Sequence, residues 1–541
     1  MYWEPSAVIN AGGRADRLSR LADGVLGHIL SFLPAAEAAR AAALSRRWRH
    51  VFAAVHAITF KEPKRPVRDD DDGGWSSDDP DSADDDDEDY FSSSSSSSGR
   101  YPTLAAAVPF ADAVSAALHS RHRGPHAAPV PLRGLRVEFD GGGSDASAAA
   151  VDSWLHYAAR NAAAGELHVD LRLGRRPICA RAHILRRGDA TRRPGYAPPE
   201  ACHSSYAPPV SLLRCAALRR LRLASCRLDM PDAAAFLPAL DTLHLTRIAG
   251  SGLAVQRLVS TCPRLTDLTL EACCNLTEFS VPGGVRLRKL AVRCCHDLAA
   301  VVAADLSELR SFEYSGPMPG PSIQTMNCPR QILSCTVNFC GVEAMDPAEL
   351  GRLREFLLPF AGAVNMQIKS ARLGASIGHG VLSSALELPC FHALRHLELT
   401  GMLPEDDVAT VAGLGKMLER TPILETLSLF FMPEPEVSHY SCCNEDQLRT
   451  VHKLKYNQNA VLAVPEGNGV ACLRERTREI NLVHYQGGTA QRMLAKFLLC
   501  NARVVGEVYC EFARGPLFIQ TKLMEEITGW VLNKSAKMVF F

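Results

Sequence analysis

The stretch LRRLRLASC, from Leu218 to Cys226, contains the pattern that decides the fold. Its leucines follow the frame L-x-x-L-x-L, and a small residue closes the frame at the ninth position. The same frame, slightly altered in places, begins again at four later leucines: Leu240, Leu265, Leu287 and Leu309. These starts are 22, 25, 22 and 22 residues apart, and two outlying copies begin at Leu394 and Leu424. Such regular spacing indicates that the chain stacks one structural unit many times.

Within each frame, the alternation of leucines predicts a short strand with one buried face. Leu221 and Leu223 point inward when the segment is extended, and Arg222 between them points outward. Residues 253–259 and 408–418 have helical spacing, and a proline follows each segment shortly before the next strand. One repeat is therefore a strand with a helix or a looser return. This is the leucine-rich repeat, whose period is about 20–29 residues.

A single repeat of this size cannot be stable alone. Burial of its three framing leucines contributes roughly 5–9 kcal/mol. Ordering about twenty residues of backbone costs on the order of 20–40 kcal/mol. Neighbouring repeats must therefore stack, which predicts an α/β solenoid whose strands line a concave face. Early, degenerate repeats are predicted at residues 132–137 and 167–173, after a helix over 101–119.

Charge is balanced over the 541 residues but segregated along them. Lys and Arg total 59, as do Asp and Glu, yet residues 69–89 hold thirteen acidic residues and no basic one. Seven serines follow at 92–98. This composition predicts a flexible, solvated linker. Contact of the acidic run with the basic remainder of the chain, and phosphorylation of the serines, are alternatives that the sequence leaves open.

No secretory signal or membrane span is predicted. The first ten residues lack a basic start followed by an apolar core, and the chain has no run of 18 apolar residues. Eighteen cysteines in a long chain without a signal indicate reduced thiols. We therefore expect a cytoplasmic or nuclear protein that does not contact a membrane.

The segment DRLSRLADGVLGHILSFLPAAEAARAAALSRRWRHVF, from Asp16 to Phe52, has helical spacing near the N-terminus. Asp23 can cap a first helix, and Pro34 ends its pattern. Further helices are predicted over 36–43 and from Ser45. About forty residues bury little core of their own, so the apolar face is predicted to bind a partner. That face contains Leu26, Ile29, Leu30 and Leu33.

This segment resembles an F-box, the motif that docks onto the Skp-type linker subunit of an SCF ubiquitin ligase. The resemblance rests on R-L-S-x-L, on D-x-V-L-x-x-I-L-S-F-L-P and on L-S-R-R-W-R. Ala22, Ala41 and Phe52 depart from the residues that are usual in plant members. The resemblance implies a three-helix F-box. The docking residues that it implies are Leu18, Leu21, Val25, Ile29, Leu30, Leu33, Pro34 and Trp48.

The C-terminal stretch from Arg476 predicts a strand, a turn at Gly487–Gly488, a helix, a second strand, and a further helix over 517–532. It resembles the FBD module of plant F-box/leucine-rich-repeat proteins, in the same order of domains. The module is expected to cap the solenoid. The predicted boundaries are 1–15 for a tail, 16–56 for the F-box, 61–100 for the linker, 101–475 for the solenoid and 476–541 for the FBD-like domain.

Neither catalysis nor a cofactor is predicted. The chain has no G-x-S-x-G or H-E-x-x-H motif. Cys226, Cys273 and Cys295 occupy the ninth position of their frames, where they are predicted to stack as a buried ladder. Because paired C-x-x-C motifs are missing, the sequence favours this ladder over a zinc site.

The outward strand positions carry mixed charges, which favours a protein target over nucleic acid. The resemblance then implies a substrate-recruiting adaptor bound to a Skp-type linker and a cullin scaffold. The alternative is a repeat scaffold outside any ligase that binds nucleic acid through the eight arginines of residues 172–193. The predicted target-binding residues on the concave face are Arg220, Arg222, His244, Asp267, Glu271, Lys289, Arg293, Glu313, His396 and Glu398.

Overall fold

The computed structural model forms two compact units. The first contains the described parts of Met1–Asp71, Asp89–Arg175 and Ser204–Thr242. The second unit contains the described parts of Asp72–Glu88, Arg176–His203 and Leu243–Phe541. The structure describes residues 18–43, 51–63, 109–121, 130–140, 145–174, 178–179, 183–184, 206–228, 236–282, 285–303, 307–318, 332–342, 347–374, 388–405, 407–433, 453–462 and 470–541.

The first unit begins with helices and continues into parallel strands. Single turns of 3-10 helix lie at Leu18–Arg20 and Phe52–Ala54. The helices are α1 (Asp23–Leu30), α2 (Ala35–Ala43), α3 (Phe110–Ser120), α4 (Asp145–Arg160) and α5 (Val210–Leu213). The strands are β1 (Ala57–Lys61), β2 (Gly134–Phe139), β3 (Leu167–Leu173) and β5 (Leu218–Ala224), which neighbour one another in that order.

The inward side chains of these four strands form rows. In the parallel register, Ile58 is opposite Leu135, Leu135 is opposite Val169, and Val169 is opposite Leu221. All four side chains are buried. Every second residue of each strand therefore contributes to one shared apolar layer, as the period of two in the sequence requires. The strands predicted at 132–137 and 167–173 are thus confirmed as β2 and β3.

The second unit has the same architecture of parallel strands and helices. Its helices are α6 (Gly252–Ser260), α7 (Pro347–Leu357), α8 (Val408–Glu419), α9 (Ala471–Glu475), α10 (Thr489–Asn501) and α11 (Leu517–Trp530). The main strands are β6 (Thr242–Thr246), β7 (Asp267–Glu271), β9 (Lys289–Arg293), β11 (Ser311–Gly316), β12 (Ser334–Phe339), β14 (Asn365–Arg372), β15 (His396–Met402), β16 (Thr426–Met432), β17 (Glu479–Tyr485), β18 (Glu507–Phe512) and β19 (Lys537–Phe540), in that spatial order.

Two small parallel pairs accompany this sheet: β8 (Glu278–Val281) with β10 (Ala300–Ala303), and β4 (His183–Ile184) with β13 (Gly341–Val342). The main strands keep one register, so that one buried row runs through nine of them. The row consists of Leu268, Leu290, Phe312, Cys335, Met366, Leu397, Leu427, Ile480 and Val508.

The tight turns after the strands recur in phase with the repeat. Arg247, Ala272 and Cys294 each follow the last residue of a strand and have φ between 47° and 51°. Their N–H groups donate to carbonyl oxygens at the end of the next strand, at 2.8, 2.7 and 2.5 Å. Each strand is thus tied to its neighbour at the point where the chain leaves the sheet.

The α/β repeat architecture predicted from the leucine frame is confirmed by these strands, and the helices predicted over 253–259 and 408–418 are α6 and α8. The C-terminal strand, helix and strand are β17, α10 and β18, but a final strand, β19, was not predicted. The third F-box helix and most of the 61–100 linker lie outside the described residues. The domain boundaries and the FBD cap stay predictions. Among the described helices, none combines the length and apolar character that crossing a bilayer requires.

Candidate docking and binding surfaces

Helix α1 has apolar residues on two neighbouring faces, one buried and one exposed. Leu26 and Leu30 are buried inside the first unit, whereas Val25 and Ile29 are 47% and 39% exposed. Leu18 and Phe32 add further exposed apolar surface, at 54% and 76%. We call these four exposed residues, Leu18, Val25, Ile29 and Phe32, the apolar patch.

The predicted docking residues therefore separate into groups. Leu30 belongs to the inner face, so that its side chain is not accessible to a partner in this structure. Leu21 and Leu33 are half-buried, and Pro34 is exposed. Trp48 lies outside the described residues. Phe32 was missed because the prediction assigned a single apolar face to the helix.

The inner face of α1 packs tightly against the 3-10 turn at Phe52–Ala54. A Cβ atom placed on Gly27 would lie 2.6 Å from the carbonyl oxygen of Ala54. The N-cap position belongs to Ala22, and not to Asp23 as predicted; Asp23 is the first residue of the helix. Its carboxylate lies in the first turn, where the helix dipole favours negative charge. The close packing fixes which side of α1 faces outward.

The outward residues of the first unit form a network of alternating charge. Arg136 and Glu138 on β2 are opposite Asp170 and Arg172 on β3. Arg136 Nη2 donates to Glu138 at 2.6 Å, and Arg172 Nη2 donates to Asp170 at 3.2 Å. Ion pairs of 3.6 and 3.5 Å join the two strands. On β5, the predicted residue Arg220 is exposed and Arg222 is half-buried.

In the second unit, five charged or polar residues on four successive strands form one chain of contacts. Glu271 accepts hydrogen bonds from Thr246 Oγ1 at 2.8 Å and lies 3.1 Å from His244 Nε2. Its other oxygen lies 3.3 Å from Arg293, whose guanidinium donates to both oxygens of Glu313 at 2.6 and 2.9 Å. The structure therefore brings together four of the predicted target-binding residues.

Glu271 itself is buried by these neighbours, which corrects its prediction as an accessible contact. Burial alone would raise the pKa of its carboxyl group. Hydrogen bonds from His244 and Thr246, together with the charge of Arg293, outweigh burial and lower the pKa to about 2. The carboxylate is consequently ionised at neutral pH and holds the surrounding donors in place.

The next strands carry a ladder of hydroxyl and amide groups that reaches the carboxyl group of Glu398. Thr336 donates to Gln367, and Gln367 donates to Glu398, each at 3.1 Å. Asn481 donates to Ser428 at 3.0 Å. Glu398 is half-buried, and burial raises its pKa although the hydrogen bond from Gln367 opposes that shift. Sequence reasoning missed Thr336, Gln367 and Asn481 because their strands lack a clean leucine frame.

Three of the predicted target-binding residues keep more contact with solvent. Lys289 and His396 are exposed, and Asp267 is half-buried. All three occupy one register row at the amino ends of their strands, since Asp267 is opposite Lys289 and the row continues through Asn365 to His396. We call the outward residues of the strands, including this row, the strand rows.

The cysteines of the repeat frame behave as predicted. Cys226, Cys273 and Cys295 are buried. Cys273 Sγ donates to the Leu245 carbonyl at 3.5 Å, and Cys295 Sγ donates to the Leu270 carbonyl at 3.6 Å. Burial raises the pKa of Cys226 to about 12. These thiols pack in the interior and bond to strand ends.

The arginine-rich segment is only partly described. Arg172 contacts Asp170 and Glu138 within the first unit. The seven arginines from Arg175 to Arg193 lie outside the described residues, so their proposed contact with nucleic acid stays a prediction.

Parallel strands in repeat order, preceded by helices that expose an apolar patch, define a repeat protein with an N-terminal helical segment. Residues 18–56 match the F-box domain family. Residues 197–336 match the family of leucine-rich repeats described as those of FBD-associated F-box protein At5g56370. The chain therefore contains an F-box domain and leucine-rich repeats of the FBD-associated type, which confirms the resemblance of the N-terminal segment to an F-box. Neither match covers the C-terminal stretch, whose resemblance to the FBD module stays a prediction.

Two curated relatives come from Arabidopsis thaliana. F-box/LRR-repeat protein At3g59200 is 49% identical over 47 residues, which are 9% of each chain. F-box protein At5g40050 is 47% identical over 49 residues, which are 9% of this chain and 12% of the relative. The chain thus matches about a tenth of the length of these relatives.

Proposed function

We propose that this chain is the substrate-recognition adaptor of an SCF-type ubiquitin ligase. F-box domains typically bind Skp-type linker subunits, and the linker in turn joins the chain to a cullin scaffold. The leucine-rich repeats hold a target protein. This assignment places the protein in the cytoplasm or the nucleus. The observation that carries it is the apolar patch within residues that match the F-box family.

The patch has the chemistry of a protein-docking surface. Burying four apolar side chains contributes about 1.5–3 kcal/mol for each fully covered residue. Part of that gain offsets the translational and side-chain entropy lost on association. The patch is also rigid, because Gly27 holds the opposite side of α1 against Ala54. The linker therefore meets a preorganised helix face, which lowers the entropic cost of binding.

The strand rows supply the target-binding surface. Lys289, His396 and Arg220 project into solvent, while the contacts around Glu271 and Gln367 fix the orientation of neighbouring groups. A surface of alternating charge and neutral amides selects a protein partner by complementary charge and hydrogen bonding. The FBD-like C-terminal segment continues the same sheet through β17, β18 and β19, which supports its proposed role as the terminal cap.

In this proposal the chain contributes no reacting group to ubiquitin transfer. Its contribution is proximity: a target bound to the repeats and a linker bound to the patch are held in one complex. The transfer step then becomes effectively intramolecular at a high local concentration. Catalysis belongs to other subunits of the ligase.

A direct binding assay with a purified Skp-type linker tests the docking assignment. The variant Val25→Asp with Ile29→Asp is expected to lose linker binding, because it places two charges where apolar contacts are needed. Leu253→Asp is the matched control, since Leu253 is an equally apolar residue, 65% exposed on α6 of the second unit. Unchanged binding of the double variant, with the control also unchanged, would refute the docking assignment.

A further inference from the structure

Three cysteines and a histidine from three distant stretches meet in the second unit. They are Cys179, Cys294 with His296, and Cys340. Their sulfur atoms and an imidazole nitrogen all lie within 4.8 Å of one another. Cys179 Sγ lies 3.4 Å from His296 Nε2. Cys340 is buried and the other three are half-buried, so the group is sheltered without being sealed in the core.

The backbone positions of Cys294 and Cys340 are set by the repeat. Cys294 follows the last residue of β9, and Cys340 follows the last residue of β12. Strand β11 lies between them, and its end accepts both of their N–H groups: Ser315 O at 2.5 Å from Cys294, and Gly316 O at 2.8 Å from Cys340. Both thiols are therefore anchored at the carboxyl ends of the two parallel strands that flank β11.

A short strand pairing brings in the third cysteine. Residues His183 and Ile184 of β4 pair with Gly341 and Val342 of β13. The pairing holds the stretch that contains Cys179 beside the residues that directly follow Cys340. Two independent backbone arrangements, the main sheet and this small pair, thus converge on one group of side chains.

We propose that Cys179, Cys294, His296 and Cys340 form a tetrahedral zinc site. Three thiolates and one imidazole are a ligand set typical of structural zinc. Zn–S and Zn–N bonds of about 2.3 and 2.0–2.1 Å place ligand atoms of a tetrahedral site about 3.6–3.8 Å apart. The 3.4 Å separation of Cys179 Sγ and His296 Nε2 is close to that value, and the limit of 4.8 Å requires only small side-chain adjustments.

The bonds and protons exchanged when zinc binds at this site can be stated in full. Three Zn–S bonds and one Zn–N bond form, water leaves the ion, and up to three thiol protons pass to the solvent. No oxidant or reductant is needed. Nδ1 of His296 is buried and lacks a hydrogen-bond partner among the residues that the structure describes. A ligating histidine usually donates through its second nitrogen, so the three thiolates supply most of the affinity here.

The zinc cluster is distinct from the cysteine ladder. Cys295 turns inward and donates to the Leu270 carbonyl, whereas its neighbour Cys294, at φ 51°, turns toward Cys179 and Cys340. The missing C-x-x-C pairs led the sequence prediction away from zinc. In the sequence, only Cys294 and His296 have the close spacing that is typical of metal ligands. Cys179 and Cys340 lie near them only because of the tertiary structure.

The role that follows is structural. The ion would tie the stretch around Cys179 to the ends of β9 and β12, where few framing leucines are available to hold the repeats together. This inference is independent of the proposed adaptor function, because it concerns the stability of the second unit.

Metal analysis of the full-length chain tests the site. Protein purified under reducing conditions without chelators is expected to hold one zinc per chain by inductively coupled plasma mass spectrometry. Replacement by cobalt should give the d–d absorption of a tetrahedral ion and thiolate charge-transfer bands. Removal of the ion with a strong chelator should lower the Tm.

Variants identify the ligands. Cys294→Ser with Cys340→Ser should lose zinc and show no Tm response to chelator. Cys390→Ser, at an exposed cysteine, and Cys262→Ser, at a buried one, should keep both properties. His296→Cys supplies a fourth thiolate and should retain zinc. His296→Ala should bind zinc with an affinity lower by about tenfold or more.

If a variant fails to fold, measurements on the wild-type protein still test the proposal. Absence of zinc from the purified chain together with no cobalt spectrum on titration would overturn it. So would equal zinc in the Cys294/Cys340 variant, copper or iron in place of zinc, or a disulfide between these cysteines in protein kept under reducing conditions.

Discussion

At the scale of single residues, Gly27 sets how closely α1 approaches the Phe52–Ala54 turn. A methyl group at this position would lie 2.6–2.8 Å from backbone and side-chain atoms of Ala54, so the helix must move. We expect Gly27→Ala to lower the free energy of unfolding of the first unit by about 1–3 kcal/mol. Thermal denaturation measures this loss, and the shifted helix should also bind the linker more weakly.

Gly24 provides the control on the same helix. A methyl group there meets no atom within 4 Å. Gly24→Ala should therefore keep the packing intact and stabilise the helix by about 0.5–1 kcal/mol, since alanine loses less backbone entropy than glycine. Equal destabilisation by both substitutions would show that packing against Ala54 is not the cause.

Ala272 carries a different constraint, because its φ of 47° lies in the left-handed region. An L-residue there costs about 1–2 kcal/mol relative to ordinary helical backbone, and glycine avoids that cost. We expect Ala272→Gly to cost about 1 kcal/mol less stability than Ala291→Gly, where a fully buried alanine lies inside β9. Chemical denaturation of the two variants measures the difference. An equal loss would contradict the strained turn.

At the scale of elements, the contact between β6, β7, β9 and β11 through Glu271 makes stability depend on pH. The folded pKa of Glu271, about 2, is lower than its ordinary value of 4.5. A lowered pKa contributes stability that is fully present above pH 4.5 and is lost as pH falls through about 2. We expect Glu271→Gln to destabilise the second unit at pH 7 by about 1–3 kcal/mol, with a smaller difference at pH 3.

The matched control is Glu308→Gln. Glu308 pairs with Arg286 at 2.9 Å, but the arginine is 79% exposed. Such a surface pair contributes about 0–1 kcal/mol. Urea denaturation of both variants between pH 3 and 7 separates the two cases. A pH-independent difference between Glu271→Gln and the wild type would refute the role of the buried carboxylate.

The strands and helices also show which parts of the fold can be predicted from the leucine frame and which cannot. The leucine frame predicted β5, β6, β7 and β9 because every second residue contacts the same apolar layer. It gave no signal for β14, whose Met366 and Ile368 complete that layer with residues outside the frame. The sequence prediction gave helix α1 a single apolar face. Helical spacing alone does not reveal which of its apolar residues are covered by other parts of the same chain. Tertiary contacts likewise decide that Glu271 is buried and that Cys179 reaches Cys340.

At the scale of the whole molecule, the residues that we propose for docking differ from those that we propose for target capture. The apolar patch belongs to α1 and its flanking residues, while Lys289 and His396 belong to strand rows of the second unit. Substitutions in one surface should therefore leave the other function intact, because sites without shared partners act additively. This separation is the property that an adaptor requires.

Affinity capture with quantitative mass spectrometry checks whether the two surfaces act separately. The variant Val25→Asp with Ile29→Asp should lose the linker and cullin subunits while target proteins accumulate on it, since they are no longer passed to the ligase. Lys289→Glu with His396→Glu reverses charge on the strand rows and should keep the linker while losing targets. Leu253→Asp should match the wild type in both. Loss of the same partners from both double variants would show that the surfaces are not separate, and the adaptor assignment would fail with that result.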